Sequence, residues 1–241
     1  MSRQFLTNAD QIVVAGFPNL LALANALTYA AQINPTGYGA PSAGRIVSMV
    51  NSATGKGHAF YLQSTGGGQI VAQVSKTGSD AQAVAAFPSS LLNNEWKYVA
   101  MEYAIGGPGP RIFLGTHAAK MVELAYVSQT DGAGSLIDVT GFPFLIGNSG
   151  LAGGNAFQGR IGDVTPWNGA LALASLDKLR LFPAAIVHKF SEAALQAHWG
   201  LGDVEKTATL RDLSGNNFAA VASGTKVDHN PGRETMGSSG W

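Results

Sequence analysis

Along most of the chain apolar and polar positions alternate in short runs, and glycine and proline fall between the runs. In 26–34, Leu27, Tyr29, Ala31 and Ile33 occupy every second position and so share one face of a strand. The same period-two logic predicts strands over 3–14, 45–51, 58–63, 69–75, 96–104, 111–114, 142–147 and 157–167. Turns are predicted at 52–57, at Gly66, Gly67 and Gly68, and at Pro108, Gly109 and Pro110. Such a succession of strands with few helical intervals predicts an all-β, antiparallel sandwich. In 157–167, Phe157, Gly159 and Ile161 share a face, and Gly159 leaves space there for a packed neighbour.

The period changes late in the chain. Leu173, Leu176, Leu179 and Phe182 have helical spacing, which predicts a helix over 172–182 that stops at Pro183. Ser191 is a good N-cap and Glu192 favours a first turn, so a second short helix is predicted over 191–199. Both are expected to pack on an edge of the sandwich. The domain reading is therefore a single β-sandwich over 1–225, with a helical insertion at about 172–200, and a polar tail over 226–241. That tail is expected to be loose, with its terminal Trp241 docked on a neighbour.

Charge narrows the setting. No charged residue occurs between Gln11 and Gly44, but Gly16, Pro18, Asn19 and Asn25 interrupt the apolar part of that stretch. It reads as buried strands and a loop, with no membrane span and no signal peptide. Charged residues make up 12% of the chain, and the formal net charge is zero. Soluble proteins average about 25% charged residues. An outer surface this neutral suits contact with other protein, or with a neutral ligand such as sugar. No basic excess points to nucleic acid. Cysteine is absent, which removes disulfides, thiolate metal sites and cysteine nucleophiles, and leans the setting towards a cytosolic, bacterial or virion one.

Several segments carry a family likeness. The run Asn94, Glu95, Trp96, Lys97, Tyr98, Val99, Ala100, Met101, Glu102, Tyr103 resembles a W-x-h-v-A-x-x-Y strand. Arg111 to Gly115 resembles the strand after it, and Phe144, Leu145, Ile146, Gly147, Asn148 resembles an l-x-I-G-n strand. Phe157 to Val164, followed by Trp167, Asn168, Gly169, Ala170 and Leu171, is similar to a closing F-x-G-x-I-D-E-V-x-I-y-n-x-A-L-S segment. Arg3 to Ile12 resembles an opening strand, and Leu210 to Asn217 a D-x-S-G-N turn. In this order the segments resemble laminin G-like (pentraxin-like) domains of the concanavalin A-like lectin/glucanase superfamily, of the type found in phage structural proteins. The resemblance implies a jelly roll. It leaves function open, because that fold serves lectins, glycanases, adhesion modules and phage proteins.

Candidate chemistry is sparse. A retaining glycanase needs two carboxyls about 5 Å apart. The fifteen acidic residues are scattered, and the nearest thing to a pair is Asp203 with Glu205, in an expected loop. There is no Gly-x-Ser-x-Gly elbow, and His188 and His198 lack metal spacing. Gly66 to Gly68 lacks the lysine and the strand–helix context of a phosphate loop. The resemblance implies calcium on a rim, with Asp10, Asn148 and Asp163 as candidate ligands, although Leu6 and Ala9 stand where the family often has acids. Trp167 with Asn168, and Trp199, are the candidates for sugar contact, weighed against plain packing.

These readings favour a protein without catalytic residues and with no cofactor other than calcium. The expected role is that of a virion structural protein, such as a phage capsid decoration or tail-associated protein, assembled in the host cytoplasm. Its expected partners are other virion proteins, a major capsid or tail protein among them, in a homo-oligomer or symmetric assembly. The alternative is an extracellular or cell-surface carbohydrate-binding lectin or adhesin, and a glycoside hydrolase is the remotest reading.

Overall fold

A computed structural model describes residues 2–7, 9–39, 43–149, 155–181, 190, 193–201 and 209–228. In chain order its strands are β1 Ser2–Phe5, β2 Gln11–Val14, β3 Ala26–Pro35, β4 Ala43–Val50, β5 Gly57–Gln63, β6 Gln69–Val74, β7 Ala81–Ala86, β8 Lys97–Ala104 and β9 Arg111–Thr116. They continue with β10 Val122–Glu123, β11 Tyr126–Thr130, β12 Phe144–Ile146, β13 Gly159–Asn168, β14 Ala194–Leu195, β15 Trp199–Gly200, β16 Thr209–Leu210, β17 Ala220–Ser223 and β18 Lys226–Asp228. Helix α1 is Leu20–Ala24 and helix α2 is Leu173–Leu181. None of the described helices is long and apolar enough to cross a membrane.

The strands form two antiparallel sheets. The first runs β10-β9-β8-β3-β13-β1-β18, and β14 and β15 pair with β13 further along it. The second runs β11-β7-β6-β5-β4-β12-β2-β17-β16. Their inner faces interleave in one core. From the first sheet come Leu27, Tyr29, Ala31, Ile33, Val99, Met101 and Ile161; from the second come Phe60, Leu62, Ile70, Ala72, Phe144 and Ile146. The face predicted for 26–34 is thus the face that is buried. An aromatic cluster ties the layers together: Phe17 lies 4.8 Å from Phe144, and Phe144 stacks on Trp199 at 5.6 Å.

The outer face of the first sheet is covered as well. Leu176 and Leu179 of α2 pack with Ala100, Phe113, Met121, Trp167 and Ala193. Arg180 pins the helix: its Nε donates to Asp177 Oδ1 at 2.8 Å, and its Nη1 donates to the Thr116 and His117 carbonyls at 2.8 and 2.9 Å.

Four expectations change. The single strand expected over 3–14 is two strands in different sheets. The chain turns between them because the Asp10 carboxylate accepts the Leu6 and Thr7 amides at 2.6 and 2.9 Å and the Thr7 hydroxyl at 2.9 Å. The uncharged stretch after Gln11 contains a short helix, α1, which stops at Asn25 in the left-handed conformation. The helix expected over 191–199 is extended where it is described: Leu195 pairs with Trp167, and Trp199 with Val164. Pairing along β13 and burial of the Trp199 ring outweigh helical preference there. The tail expected from 226 begins instead as β18, paired with Ser2 to Gln4 of β1. Residues 229–241, Trp241 among them, lie outside the described residues, as do Asp203, Glu205, His188, Ser191 and Glu192.

One buried titratable group gives a pH test. His58 is 1% exposed between the sheets, with Nδ1 3.3 Å from the Tyr29 hydroxyl, and burial pushes its pKa down from 6.5 to about 4. The unfolded chain binds a proton at this residue below about pH 6.5, and the folded chain does not until about pH 4. Stability from this group therefore falls as pH drops across that window, by about 3 kcal/mol at ~1.4 kcal/mol per pH unit. Urea unfolding at stepped pH should show this slope, and His58→Gln should flatten it.

Candidate binding groove

On the outer face of the second sheet, β2, β12 and the end of β4 flank a groove of about 400 Å³. Small-molecule sites commonly span about 300–1,000 Å³. Its apolar lining is Val13, Val50, Phe142, Pro143 and Leu145, and its polar lining is Gln11, Asn51, Ser52 and Ser149. Strand alternation places these side chains. In β2, Ile12 and Val14 are fully buried in the core, which turns Gln11 and Val13 outward. Asn51 shapes the rim, because its Oδ1 accepts the amides of Ala53 and Thr54 at 2.9 and 3.1 Å. No carboxylate is among the lining residues.

The same face continues across β4 to β7. Val50, Ala59, Tyr61, Val71 and Val84 form a small apolar cluster on it, separate from the core. Amides border the cluster: Gln63 donates to Gln69 at 2.6 Å, and Gln73 to Asp80 at 2.6 Å. The Arg45 guanidinium lies over the Tyr61 ring, 3.8 Å from its centroid. The cluster itself is closed to solvent: Ala59 and Val71 are 3% and 0% exposed, and Tyr61 and Val84 8% each.

Two of the calcium candidates come together beside this groove. Asn148 Nδ2 donates to the Asp10 carbonyl at 3.2 Å, and Asn148 precedes the lining residue Ser149. Their side-chain oxygens are already committed. Asp10 accepts the turn amides described above, and Asn148 Oδ1 accepts the Ser149 and Asn155 amides at 2.7 and 3.2 Å. Asp163 stands apart on the first sheet, its Oδ1 3.2 Å from His198 Nε2, lining a small cleft beneath α2. Ca²⁺ takes six to eight oxygens. As placed, these three residues do not converge on one ion, and no group of three or more acidic or histidine side chains among the described residues does so.

The sugar candidates are interior. Trp167 is 1% exposed under α2, and Trp199 is fully buried in the core with Nε1 donating to the Phe218 carbonyl at 2.7 Å. Neither indole presents a face to solvent, and Asn168, beside Trp167, is half-buried. The packing reading weighed for both tryptophans describes their place. The groove has no counterpart in the sequence pattern, where Val13, Val50 and Leu145 are simply apolar positions of the strands predicted over 3–14, 45–51 and 142–147. The available signal was the alternation in Gln11 to Val14 between two buried neighbours.

The architecture can be set beside known proteins. The heptameric SAP-like pentraxin of Limulus polyphemus is 14% identical, over 74% of this chain and 81% of that one, with a TM-score of 0.50. The enzymatically active domain of tailspike protein 2 from bacteriophage CBA120 is 15% identical, over 80% of this chain, with a TM-score of 0.52. This chain spans only 29% of that tailspike chain. The CBM40 of the Ruminococcus gnavus IT-sialidase, bound to α2,3 sialyllactose, is 15% identical, over 75% of this chain and 98% of that one, with a TM-score of 0.50. At such identities the likeness is one of fold. No curated protein sequence matches the chain. A family model does match residues 6–176, and by that match the chain belongs to the concanavalin A-like lectin/glucanases superfamily, in its laminin G-like branch.

Proposed function

We propose that this chain is a non-catalytic structural protein of a phage virion, a capsid decoration or tail-associated protein that works by surface contact. The observation that carries the contact role is the groove on the outer face of the second sheet, which is lined without a single carboxylate. A glycanase would need a carboxyl pair in such a place. The neutral, charge-poor composition supports packing against other subunits, and the tailspike likeness supports the virion setting. Washed particles analysed by mass spectrometry should contain the chain in fixed stoichiometry with the major capsid or tail protein. Its absence from them sinks the reading.

A second reading, a glycan-binding module, is favoured by the size and mixed lining of the groove and by the likeness to a carbohydrate-binding module. The two readings are compatible, because a virion protein can hold a host polysaccharide. Val13 is half-buried and points into the groove, so Val13→Arg should block it at a cost within about 1 kcal/mol of stability. If glycan or particle binding survives that variant unchanged, the groove is not the contact surface.

A further inference from the structure

We propose that the groove between β2, β12 and the end of β4 selects uncharged glycans, with the Asn51 side-chain amide as a fixed hydrogen-bond donor to a sugar hydroxyl. The proposal rests on the glycan-binding reading and names the ligand class that the groove would take.

Three of the lining residues are closed to a ligand: Val50 and Leu145 are 4% exposed and Ser149 1%. Contact falls to the other six. Gln11, Val13, Asn51 and Phe142 are half-buried, and Ser52 and Pro143 are exposed. None of these carries a charge. The charged residues that follow or precede them most closely in sequence are already engaged. Asp10 holds the Leu6 and Thr7 amides, Asp138 holds the Thr140 amide at 2.9 Å, and Lys56 is paired with Asp80 at 2.9 Å. An ionic ligand entering this groove gives up hydration and meets no counter-ion, which is costly. An uncharged ligand avoids that cost.

The polar groups of the wall select further. Asn51 Oδ1 is occupied by the Ala53 and Thr54 amides, so Nδ2 is fixed as the free end of that side chain. Nδ2, the Gln11 amide and the Ser52 hydroxyl make no hydrogen bond to a described residue. Phe142 and Pro143 add apolar surface to the same lining. The backbone offers little, because the groove lies in the middle of its sheet: β12 pairs with both β4 and β2, and β2 pairs also with β17. An extended peptide needs partners for its own amides and carbonyls and finds only these three side chains. A pyranose has no such requirement. Its C–H face suits Phe142 and Pro143, and its hydroxyls both donate and accept, which suits Asn51, Gln11 and Ser52.

The test is an array of neutral glycans printed beside uronate-, sialate- and sulfate-bearing ones. The intact protein should bind a neutral glycan, and that binding should be unchanged between about 0.1 and about 1 M NaCl, where the screening length falls from about 10 to about 3 Å. Asn51→Asp keeps an oxygen for the Ala53 and Thr54 amides, so the turn stands, but it replaces the donor with a charged acceptor. Checked for an unchanged melting temperature, it should lose on the order of tenfold or more of the affinity for the neutral glycan. Undiminished binding by folded Asn51→Asp overturns the role of that amide. A preference for acidic glycans, or binding that falls steeply with salt, overturns the uncharged class while leaving glycan binding intact. Binding to no glycan overturns both readings, and particle binding that Val13→Arg still abolishes would then assign the groove to a protein partner. The array and the salt series use the unaltered chain, so they decide even if a variant fails to fold.

Discussion

Trp199→Ala should destabilise the fold by about 3–5 kcal/mol, the usual cost of emptying a buried aromatic site. In a domain of this size that corresponds to a fall of roughly 6–20 °C in Tm. The ring is fully buried, stacks on Phe144 at 5.6 Å and lies 5.8 Å from Phe17, so its removal opens a cavity between the two sheets. It also strips the Phe218 carbonyl of its donor at 2.7 Å. That carbonyl belongs to the segment leading into β17, which therefore should loosen first. Denaturant unfolding gives the total cost, and amide exchange at Val221 and Ala222 locates it. The variant also separates packing from binding. Trp199 lies inside, so any loss of ligand affinity should track the unfolded fraction and vanish under conditions where the variant is fully folded. Loss of affinity in a demonstrably folded variant would contradict the interior placement.

Gly159→Ala should cost about 2–4 kcal/mol, although it adds only one methyl group. Gly159 opens β13 with φ +134°, a region that L-residues rarely adopt. A Cβ there meets the Asn34 carbonyl oxygen, and Pro35 Cα lies at 2.8 Å. These are backbone atoms of the neighbouring strand β3, so no rotamer change relieves the contact. The position also pairs with Phe5 on the opposite side, so the chain cannot back away without loosening β1. Gly159→Val should not yield folded protein. Comparing Gly159→Ala with Gly16→Ala sharpens the cause. Gly16 also has positive φ, but nothing lies within 4 Å of its added Cβ, so it should lose only the backbone term of about 1 kcal/mol. Equal losses at the two sites would refute the close-approach explanation.

Gly159 also shows how much of the fold the sequence makes legible. Its place between Phe157 and Ile161 required room for a neighbour, and the neighbour is β3. The alternation of Leu27, Tyr29, Ala31 and Ile33 identified a buried face, and the ordered laminin G-like segments identified the sandwich. Elements built from weak residues were invisible. β7 reads Ala-Gln-Ala-Val-Ala-Ala, with little side-chain signal, and it forms because β6 and β11 supply its hydrogen bonds. β14 and β15 are two residues each and carry no period; they exist by pairing with β13. The expected helix over 191–199 failed for that reason, since local preference competes poorly with a sheet edge and a buried indole. The candidate face was legible only in fragments. Tryptophan is the residue one seeks for sugar, but in this chain Trp167 and Trp199 are needed for packing. Tyr61, under Arg45, is buried as well, at 8% exposure, and the two are joined across two strands by a register that no linear motif encodes.

The position of β13 has a consequence for how the chain reaches this state. It lies between β3 and β1 in the first sheet, though it arrives more than a hundred residues after either. Until residues 159–168 emerge from the ribosome, β3 can pair with β8 on one side only, and β1 has no neighbour from its own half of the chain. The first sheet must therefore wait with an open apolar edge, the condition under which strands pair with the wrong chain. Closure by distant contacts makes folding slow for its size. The vulnerable period ends when β13 docks, so variants that weaken that strand should reduce soluble yield at synthesis more than they reduce the stability of protein already folded.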